Sequence, residues 1–285
     1  MAKKDKNRNI QEHQSKQKNM GNNHSKDHPE KKKTEEITNM AKLLSFESIK
    51  KQILHDRCLL ILVALTIFAG ILRFYHLGFN SIWLDEACTL DFARNSLSGI
   101  FDLIDQGEVN PPLFYYLEHF MLSFGEGETV LRFVPALFGT LTVPAIYILG
   151  KEALNQKNGI IAAGLLAFSS YHIFYSQEAR AYTIMLFFFT IALIFYLQSL
   201  KENDIKCWIL FGAFSALAIW SHFFVIFGIG IIFFHALVVG FKNYLQSPKS
   251  LVPWLAGLAA FAIIASPMLY AGISVLINRI ATPPT

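Results

Sequence analysis

Carboxylates are concentrated in one stretch of the chain, residues 81–112, between two strongly apolar runs. One basic residue, Arg94, accompanies six acidic ones: Asp85, Glu86, Asp91, Asp102, Asp105 and Glu108. Charged groups at this density are costly to bury in hydrocarbon, so we predict that the stretch is a loop in contact with water. A carboxylate in such a loop can accept a proton from a reacting hydroxyl, which makes it a candidate general base.

The adjacent pair Asp85-Glu86 is the strongest candidate among these carboxylates. Neighbours in sequence do not share a helical face. One carboxylate can therefore face a substrate while the other ties the loop to a helix. A simpler reading is also open, in which both are helix-start carboxylates favoured by the helix dipole.

A second polar group follows later, in the segment Gln177-Glu178-Ala179-Arg180-Ala181-Tyr182 and at His222, which stands between two apolar runs. A membrane active site needs polar groups of this kind to converge. Simpler roles are open here too, because Arg180 can snorkel or pair with Glu178 and His222 can be the polar tip of a hairpin. Arg132, just inside an apolar run, is either an interface anchor or a phosphate contact.

The composition indicates a membrane protein. Of the 285 residues 53% are hydrophobic, mean hydropathy is +0.37, and several runs are long enough to span a bilayer. Residues 1–57 hold 14 of the 25 Lys+Arg and 8 of the 21 Asp+Glu, a net charge of +6, which leaves −2 for the remainder. We predict that residues 1–57 are a disordered basic cytoplasmic tail able to touch membrane lipid. Because the positive charge belongs to this tail, no nucleic-acid partner is expected.

The hydropathy pattern predicts an all-α polytopic membrane protein. Residues 58–285 would form a transmembrane module of about seven helices, with a large first extracytoplasmic loop, residues 73–129, that contains interfacial helices. The spans are Cys58–Leu72, Val130–Gly150, Gly159–Ser176, Ala181–Leu200, Cys207–Ser221, Phe223–Gly240 and Val252–Ile277. Arg57 and Arg73 would snorkel from the ends of the first span. The segment Pro111–Phe124 gives only about 21 Å of helix, so we interpret it as an interfacial helix.

The positive charges predict an orientation for these spans. With the N-terminus in the cytoplasm, the inner loops contain Lys151, Lys157, Lys201, Lys206, Lys242 and Lys249, and the outer side has Arg73, Arg94 and Arg180. The C-terminus would then be extracytoplasmic, most simply at the plasma membrane of a prokaryote. This orientation places the acidic loop, the segment 177–182 and His222 together on the extracytoplasmic side. An active site requires such groups to converge.

Five motifs occur in the chain in a recognisable order. They are Trp83-Leu84-Asp85-Glu86, then Glu108-Val109-Asn110-Pro111-Pro112-Leu113-Phe114-Tyr115-Tyr116, then Leu131-Arg132-Phe133-Val134-Pro135-Ala136-Leu137-Phe138-Gly139, then Tyr175-Ser176-Gln177-Glu178-Ala179-Arg180, then Ser221-His222-Phe223-Phe224. Together they resemble the membrane glycosyltransferases of the protein O-mannosyltransferase and aminoarabinose-transferase type, which share the fold called GT-C. The resemblance covers about residues 58–275.

The resemblance implies a polyprenyl- or dolichyl-phosphate sugar as donor and a protein, lipid or glycan as acceptor on the extracytoplasmic side. It implies that Asp85 is the catalytic base and that Arg180 lies near the lipid phosphate. The residues predicted to bind substrate are Glu86, Glu108, Asn110, Arg132, Glu178, Arg180, Tyr182 and His222. Asn110 departs from the family pattern, in which many members have His, and the chain ends sooner after its seventh span than members usually do.

The chemistry agrees with these residue types. Phosphate is already a good leaving group, so displacing a sugar from it needs one base for the acceptor hydroxyl and positive charge for the departing phosphate. A single displacement would invert the anomeric centre. No cofactor is assigned, and a divalent metal, Mg²⁺ or Mn²⁺, held by Asp85 and Glu108 is left open.

Two other function classes stay open at this point. A membrane transporter or lipid flippase would also have many spans and buried charge, but such proteins commonly show internal repeats with helices broken at mid-membrane, and the sequence shows no repeat. A noncatalytic membrane scaffold would explain the spans and leave the ordered motifs without a role.

Overall fold

The computed structural model describes residues 57–104, 108, 110–246 and 251–281, and every regular element in these ranges is a helix, which confirms the all-α prediction. The predicted tail lies outside the described residues except for Arg57. The helices are α1 (Arg57–Phe74), α2 (Leu84–Ala93), α3 (Leu97–Asp102), α4 (Leu113–Met121), α5 (Glu128–Leu131), α6 (Phe133–Ala153), α7 (Gln156–Ala167), α8 (Ser170–Ser176), α9 (Tyr182–Glu202), α10 (Ile205–Ser221), α11 (Val225–Gln246) and α12 (Leu251–Ala281). A short 3-10 turn, Leu122–Phe124, follows α4.

Long apolar helices form the body of the protein. α6 packs against α1, α7 and α9; α9 packs against α10, and α10 against α12. Small buried side chains such as Ala69, Val143 and Ala163 let α1, α6 and α7 approach closely. The closest approach joins α10 to α12, where a Cβ added to Gly212 would lie 2.1 Å from the carbonyl oxygen of Gly257. The two backbones therefore touch, and a side chain at either glycine would force them apart.

The seven predicted spans all correspond to helical segments. Among the described residues, four segments are long and apolar enough to cross a bilayer, namely Arg57–Phe74, Glu128–Ala153, Tyr182–Glu202 and Leu251–Ser274. The bent pair α7–α8 would make a fifth, while α10 and residues 225–241 are shorter apolar helices. These helices make the chain an integral multi-pass membrane protein, and the count of seven spans stays a prediction. The break predicted at Ser221-His222 is present, because α10 ends at Ser221 and α11 begins at Val225.

The third predicted span, Gly159–Ser176, is not one continuous helix. α7 and α8 meet at 62°, and Ser169 caps the start of α8. Arg73 explains the break, because its guanidinium donates to the carbonyl oxygens of Leu166 (3.1 Å) and Ala167 (3.4 Å), which a continuing helix would have used. The prediction that Arg73 snorkels is therefore wrong: its side chain is fully buried.

The first loop folds into short helices that rest on the long ones. Ile100 of α3, Phe114 and Tyr115 of α4 and Leu131 of α5 form one buried cluster with Ile184 of α9. α4 has 9 residues, and its length of about 14 Å is too short to cross a bilayer, as predicted. The loop thus packs against the long helices, and it carries four of the nine predicted site residues: Asp85, Glu86, Glu108 and Asn110.

Candidate active site

Asp85 and Glu86 lie in the first turn of α2, which begins directly after Trp83. As predicted for neighbours on a helix, they face different surroundings. The Glu86 side chain is 1% exposed, whereas that of Asp85 is 40% exposed. Only Asp85 is therefore open to a water-borne hydroxyl.

Glu86 forms a two-point ion pair with Arg132. Arg132 Nη2 lies 2.6 Å from Glu86 Oε2 and Arg132 Nε lies 2.8 Å from Glu86 Oε1. The Ala179 N–H donates to the same Oε1 at 2.9 Å. Burial by itself raises the pKa of Glu86, but the hydrogen bonds from Arg132 and Ala179 together outweigh it, so the pKa lies below its usual value. Glu86 is consequently ionised, and both of its carboxylate oxygens accept hydrogen bonds.

Arg132 also fixes the backbone that leads into α2. Its guanidinium donates to the carbonyl oxygens of Leu77 (2.9 Å), Asn80 (2.8 Å) and Ser81 (3.3 Å). A buried arginine needs this full set of partners to offset the loss of its hydration. Glu86 and Arg132 were both predicted to bind substrate. Their burial and mutual bonding instead favour a positioning role, in which they hold the loop so that Asp85 faces outward.

The turn between α8 and α9 is attached to α2 through both backbone groups of Ala179. Its N–H donates to Glu86, and its carbonyl accepts from Thr89 Oγ1 at 3.1 Å. The next residue is Arg180, and this attachment brings its Nη2 to 3.7 Å from Asp85 Oδ2. At 3.7 Å the two groups attract by charge but do not form a hydrogen bond. The predicted base and the predicted phosphate ligand are thus neighbours.

A small open cleft of about 250 Å³ begins beside Arg180. Its lining consists of Asn110, Pro111, Phe114, Tyr115, Arg180, Ala181, Tyr182 and His222. Four of the predicted substrate-binding residues, Asn110, Arg180, Tyr182 and His222, therefore meet in one place. Asp85 is not in the lining and adjoins the cleft through its contact with Arg180.

Glu108 stands at the edge of this cleft as part of a hydrogen-bonded group. Its Oε1 accepts from the Asn110 N–H (2.8 Å), from Asn110 Nδ2 (2.6 Å) and from the Tyr115 hydroxyl (3.2 Å). Burial, followed by the negative charge of Glu108, raises the pKa of Tyr115, so its hydroxyl keeps its proton and donates it to this bond. The three donors occupy one carboxylate oxygen of Glu108.

His222 lines the cleft from the connection between α10 and α11. Its ring lies 5.7 Å from that of Tyr182, centroid to centroid, and its Nδ1 accepts from the Phe224 N–H at 3.3 Å. Burial, and after it the positive charge of Arg180, lower the pKa of His222. The imidazole is therefore neutral at pH 7 and, with Nδ1 accepting, carries its proton on Nε2. It can donate a hydrogen bond to a substrate oxygen without adding charge.

Glu178 lies in the same turn as Arg180. Burial, followed by the negative charge of Glu86, raises the pKa of Glu178, while the positive charge of Arg180 acts in the opposite direction. The Arg180 N–H donates to the Glu178 carbonyl at 2.7 Å, which makes the turn tight. A substrate contact through the Glu178 carboxylate stays a prediction.

A divalent metal at Asp85 and Glu108 stays a prediction as well. Within the described ranges no three His, Cys, Asp or Glu side chains come together as a metal site. One oxygen of Glu108 is occupied by three donors, and Asp85 already has the guanidinium of Arg180 beside it. These contacts do not favour a cation between the two carboxylates.

Three residues of the site were missed by the sequence analysis. Tyr115 lines the cleft and bonds to Glu108, Thr89 binds the Ala179 carbonyl, and Gln177 contacts the end of α1. Tyr115 and Gln177 stood inside the quoted motifs but were given no role. Helical spacing offered a signal for Thr89, which follows Glu86 by three residues and therefore shares its face.

Glu118 in α4 is a buried acid behind the cleft. Its side chain is 0% exposed, and neither carboxylate oxygen has a hydrogen-bond partner among the described residues. Burial raises its pKa well above the usual value. The folded protein therefore favours the neutral carboxylic acid of Glu118 up to higher pH than the unfolded chain, in which the side chain ionises at its ordinary pKa.

The Glu118→Gln variant is expected to stabilise the protein above the ordinary pKa of glutamate, and increasingly so as pH rises. A raised folded-state pKa gives stability that is complete below the unfolded pKa and is lost as pH rises towards the folded value. An amide, which never ionises, abolishes this loss. We expect the melting temperature of Glu118→Gln to match that of the parent at about pH 4 and to exceed it by a margin that grows with pH, reaching at least about 3 °C at pH 8.

The control for this measurement is Asp102→Asn, because Asp102 is an exposed acid in the same loop. Its melting temperature should follow the parent at both pH values. A Glu118→Gln curve parallel to that of the parent from pH 5 to 8 would show that the carboxyl ionises normally in the folded protein.

Comparison with known proteins gives relatives for the region that contains the cleft. An uncharacterized protein from Aquifex aeolicus (strain VF5) is 30% identical over 194 residues, which are 64% of this chain and 37% of that protein. The S. cerevisiae protein O-mannosyltransferase Pmt1-Pmt2 complex bound to the sugar donor is similar in structure, with a TM-score of 0.57 and 18% identity over 79% of this chain and 34% of the yeast chain. The chain thus spans little more than a third of the length of either relative.

The strongest finding concerns the family. A family model described as dolichyl-phosphate-mannose-protein mannosyltransferase matches residues 109–270, more than half of the chain. The matched residues include Asn110, Arg132, Arg180 and His222, and the yeast structure supports the same helical fold. The chain therefore belongs to the dolichyl-phosphate-mannose-protein mannosyltransferase family, a GT-C glycosyltransferase family.

Proposed function

We propose that the protein is an inverting glycosyltransferase. It transfers a sugar from a polyprenyl- or dolichyl-phosphate donor to a hydroxyl group of a protein, lipid or glycan acceptor. The observation that carries the proposal is the placement of Asp85, half-exposed and acidic, 3.7 Å from Arg180, which lines a small open cleft together with Asn110, Tyr182 and His222. Membership of the family gives independent support.

The two residues supply what the displacement requires. Asp85 accepts the proton of the acceptor hydroxyl as the oxygen attacks the anomeric carbon from the side opposite the phosphate. The bond between that carbon and the phosphate oxygen breaks, and its electron pair stays on the phosphate. Arg180 stabilises the charge of the departing lipid phosphate. One displacement forms one bond and breaks one, so the anomeric configuration is inverted.

The remaining residues divide by position. Asn110, Tyr182 and His222 face the cleft and would hydrogen-bond the sugar, with Glu108 held beside them by Tyr115. Glu86 and Arg132 lie behind and keep the loop in place. No step of this mechanism passes through a metal ion. We retain the orientation given by the lysines, with a cytoplasmic N-terminus and an extracytoplasmic C-terminus and cleft.

Donor consumption tests the proposal directly. The purified chain, reconstituted in lipid, is incubated with labelled polyprenyl-phosphate sugars and with hydroxyl acceptors, and free polyprenyl phosphate and glycosylated acceptor are measured. We expect one donor to be consumed. If a donor is moved across the bilayer without being cleaved, the protein is a flippase. If no donor is bound at all, a scaffold role is favoured.

Arg180 is expected to control donor affinity. The Arg180→Ala variant should bind the lipid-linked donor about 10- to 100-fold more weakly, because a hydrogen-bonded charge pair with the phosphate is lost. The donor affinity of Arg180→Lys should lie between that of Arg180→Ala and that of the parent, because the point charge of lysine replaces the planar fork of arginine. Donor titration monitored by tryptophan fluorescence measures both.

The control is Arg94→Ala, which removes an exposed loop arginine paired with Glu126. This variant should bind the donor as the parent does. If Arg180→Ala kept the affinity of the parent, Arg180 would have only a pairing or snorkelling role.

A further inference from the structure

Gln177 joins the end of the first helix to the turn that carries Arg180. Its Nε2 lies 3.2 Å from the Leu72 carbonyl oxygen, 3.2 Å from that of Arg73 and 3.0 Å from that of Tyr75. An amide nitrogen has two hydrogens, so the three acceptors share them. These carbonyls belong to the last turn of α1 and the residue after it, where a helix leaves acceptors without intrahelical partners. One side chain thus caps α1.

The same turn is held from the other side by α2. Two residues after Gln177, the backbone N–H and carbonyl of Ala179 bind Glu86 and Thr89. The turn is therefore fastened at both ends, to α1 through Gln177 and to α2 through Ala179. Arg180 directly follows the second attachment, and its guanidinium is the only part of the turn that both lines the cleft and contacts Asp85 among the described residues.

We propose that Gln177 is a positioning residue for Arg180: by fixing the turn to α1, it sets where the guanidinium meets the donor phosphate. This inference rests on the proposed function. Displacements of about 1 Å are enough to change reactivity strongly when charged groups must meet a substrate in one geometry. Without the Gln177 contacts, the turn would lose its attachment to α1, and Ala179 would be the residue that still joins it to α2.

The test compares Gln177→Met with Gln177→Lys. Methionine has a similar length and no donor, so the cap is lost, whereas lysine keeps N–H donors for the carbonyls at a helix C-terminus. We expect Gln177→Met to weaken binding of a polyprenyl-phosphate sugar by about 3- to 10-fold and Gln177→Lys to restore most of it. Gln198→Met on α9, also at a half-buried glutamine, should bind as the parent does.

A double-mutant cycle separates positioning from general stability. If Gln177 acts through Arg180, adding Gln177→Met to Arg180→Ala should weaken donor binding no further, while their effects on melting temperature should add. The inference would be overturned if Gln177→Met weakened donor binding by the same factor in the parent and in Arg180→Ala. It would also be overturned if Gln177→Met lost thermal stability but kept the donor affinity of the parent. A parent chain that binds no lipid-linked sugar would overturn the proposed function and this inference together.

Discussion

Replacing Asp85 with asparagine is expected to slow sugar transfer by about 10²- to 10⁴-fold and to leave the fold and donor binding close to those of the parent. The amide has the shape of the carboxylate but no basic oxygen. The side chain of Asp85 is 40% exposed and makes no buried contact that the amide would lose. Without the negative charge of Asp85 beside it, the guanidinium of Arg180 is freer to interact with the donor phosphate. Donor affinity should therefore not fall.

The matched control for this loss is Asp91→Asn, which changes an exposed carboxylate of the same helix. It should transfer sugar at the rate of the parent. Single-turnover measurements with donor bound in advance isolate the chemical step from binding. Transfer by Asp85→Asn at more than about half the parent rate would exclude Asp85 as the base, and Glu108 would become the next carboxylate to test.

Replacing Arg132 with methionine is expected to cost about 3–5 kcal/mol of stability, because it leaves the buried carboxylate of Glu86 without its partner. Three backbone carbonyls, those of Leu77, Asn80 and Ser81, lose their donor at the same time. The melting temperature should fall on the order of 10 °C. Sugar transfer should fall as well, since the loop that presents Asp85 is no longer held.

The exposed pair Arg94–Glu126 provides the control for this variant. Its Nη2–Oε2 distance is also 2.6 Å, but both side chains are about half exposed, so Arg94→Met should change the melting temperature little. Adding Glu86→Leu to Arg132→Met should recover part of the lost stability, because the unpaired charge is removed. If Arg132→Met and Arg94→Met unfolded at the same temperature, the buried pair would have no special role in holding the loop.

The positions of the helices were predictable because a helix that lies in the hydrocarbon of a bilayer must consist mostly of apolar residues. Runs such as Ala181–Leu200 contain no charged residue, and the predicted spans all fall on helical residues, although Gly159–Ser176 is divided between α7 and α8. The positive-inside pattern then placed Asp85, Arg180 and His222 on one side of the protein. The contact of Asp85 with Arg180 in the structure agrees with that placement. The helix positions and the grouping of these site residues on one side depend on hydropathy and charge, so they could be predicted from the sequence.

Features that depend on contacts between residues far apart in the chain could not be predicted from the sequence. Hydropathy cannot show that α7 ends at Ala167, because Phe168 continues the apolar run and the break depends on Arg73, 94 residues earlier in the chain than Ala167. The pairing of Glu86 with Arg132 crosses 46 residues, and each had a plausible local role as a substrate contact. Burial alone distinguished Glu86 from its neighbour Asp85.

The bonds of Glu86 also bear on how the protein is made. Its partner Ala179 lies 93 residues further along the chain, which corresponds to about 5–20 s of synthesis at typical elongation rates. During that interval α2 has left the ribosome but cannot reach its final place, and the carboxylate of Glu86 stays hydrated. The first loop should thus be sensitive to proteases in the nascent chain and become resistant only once the turn before α9 has been inserted.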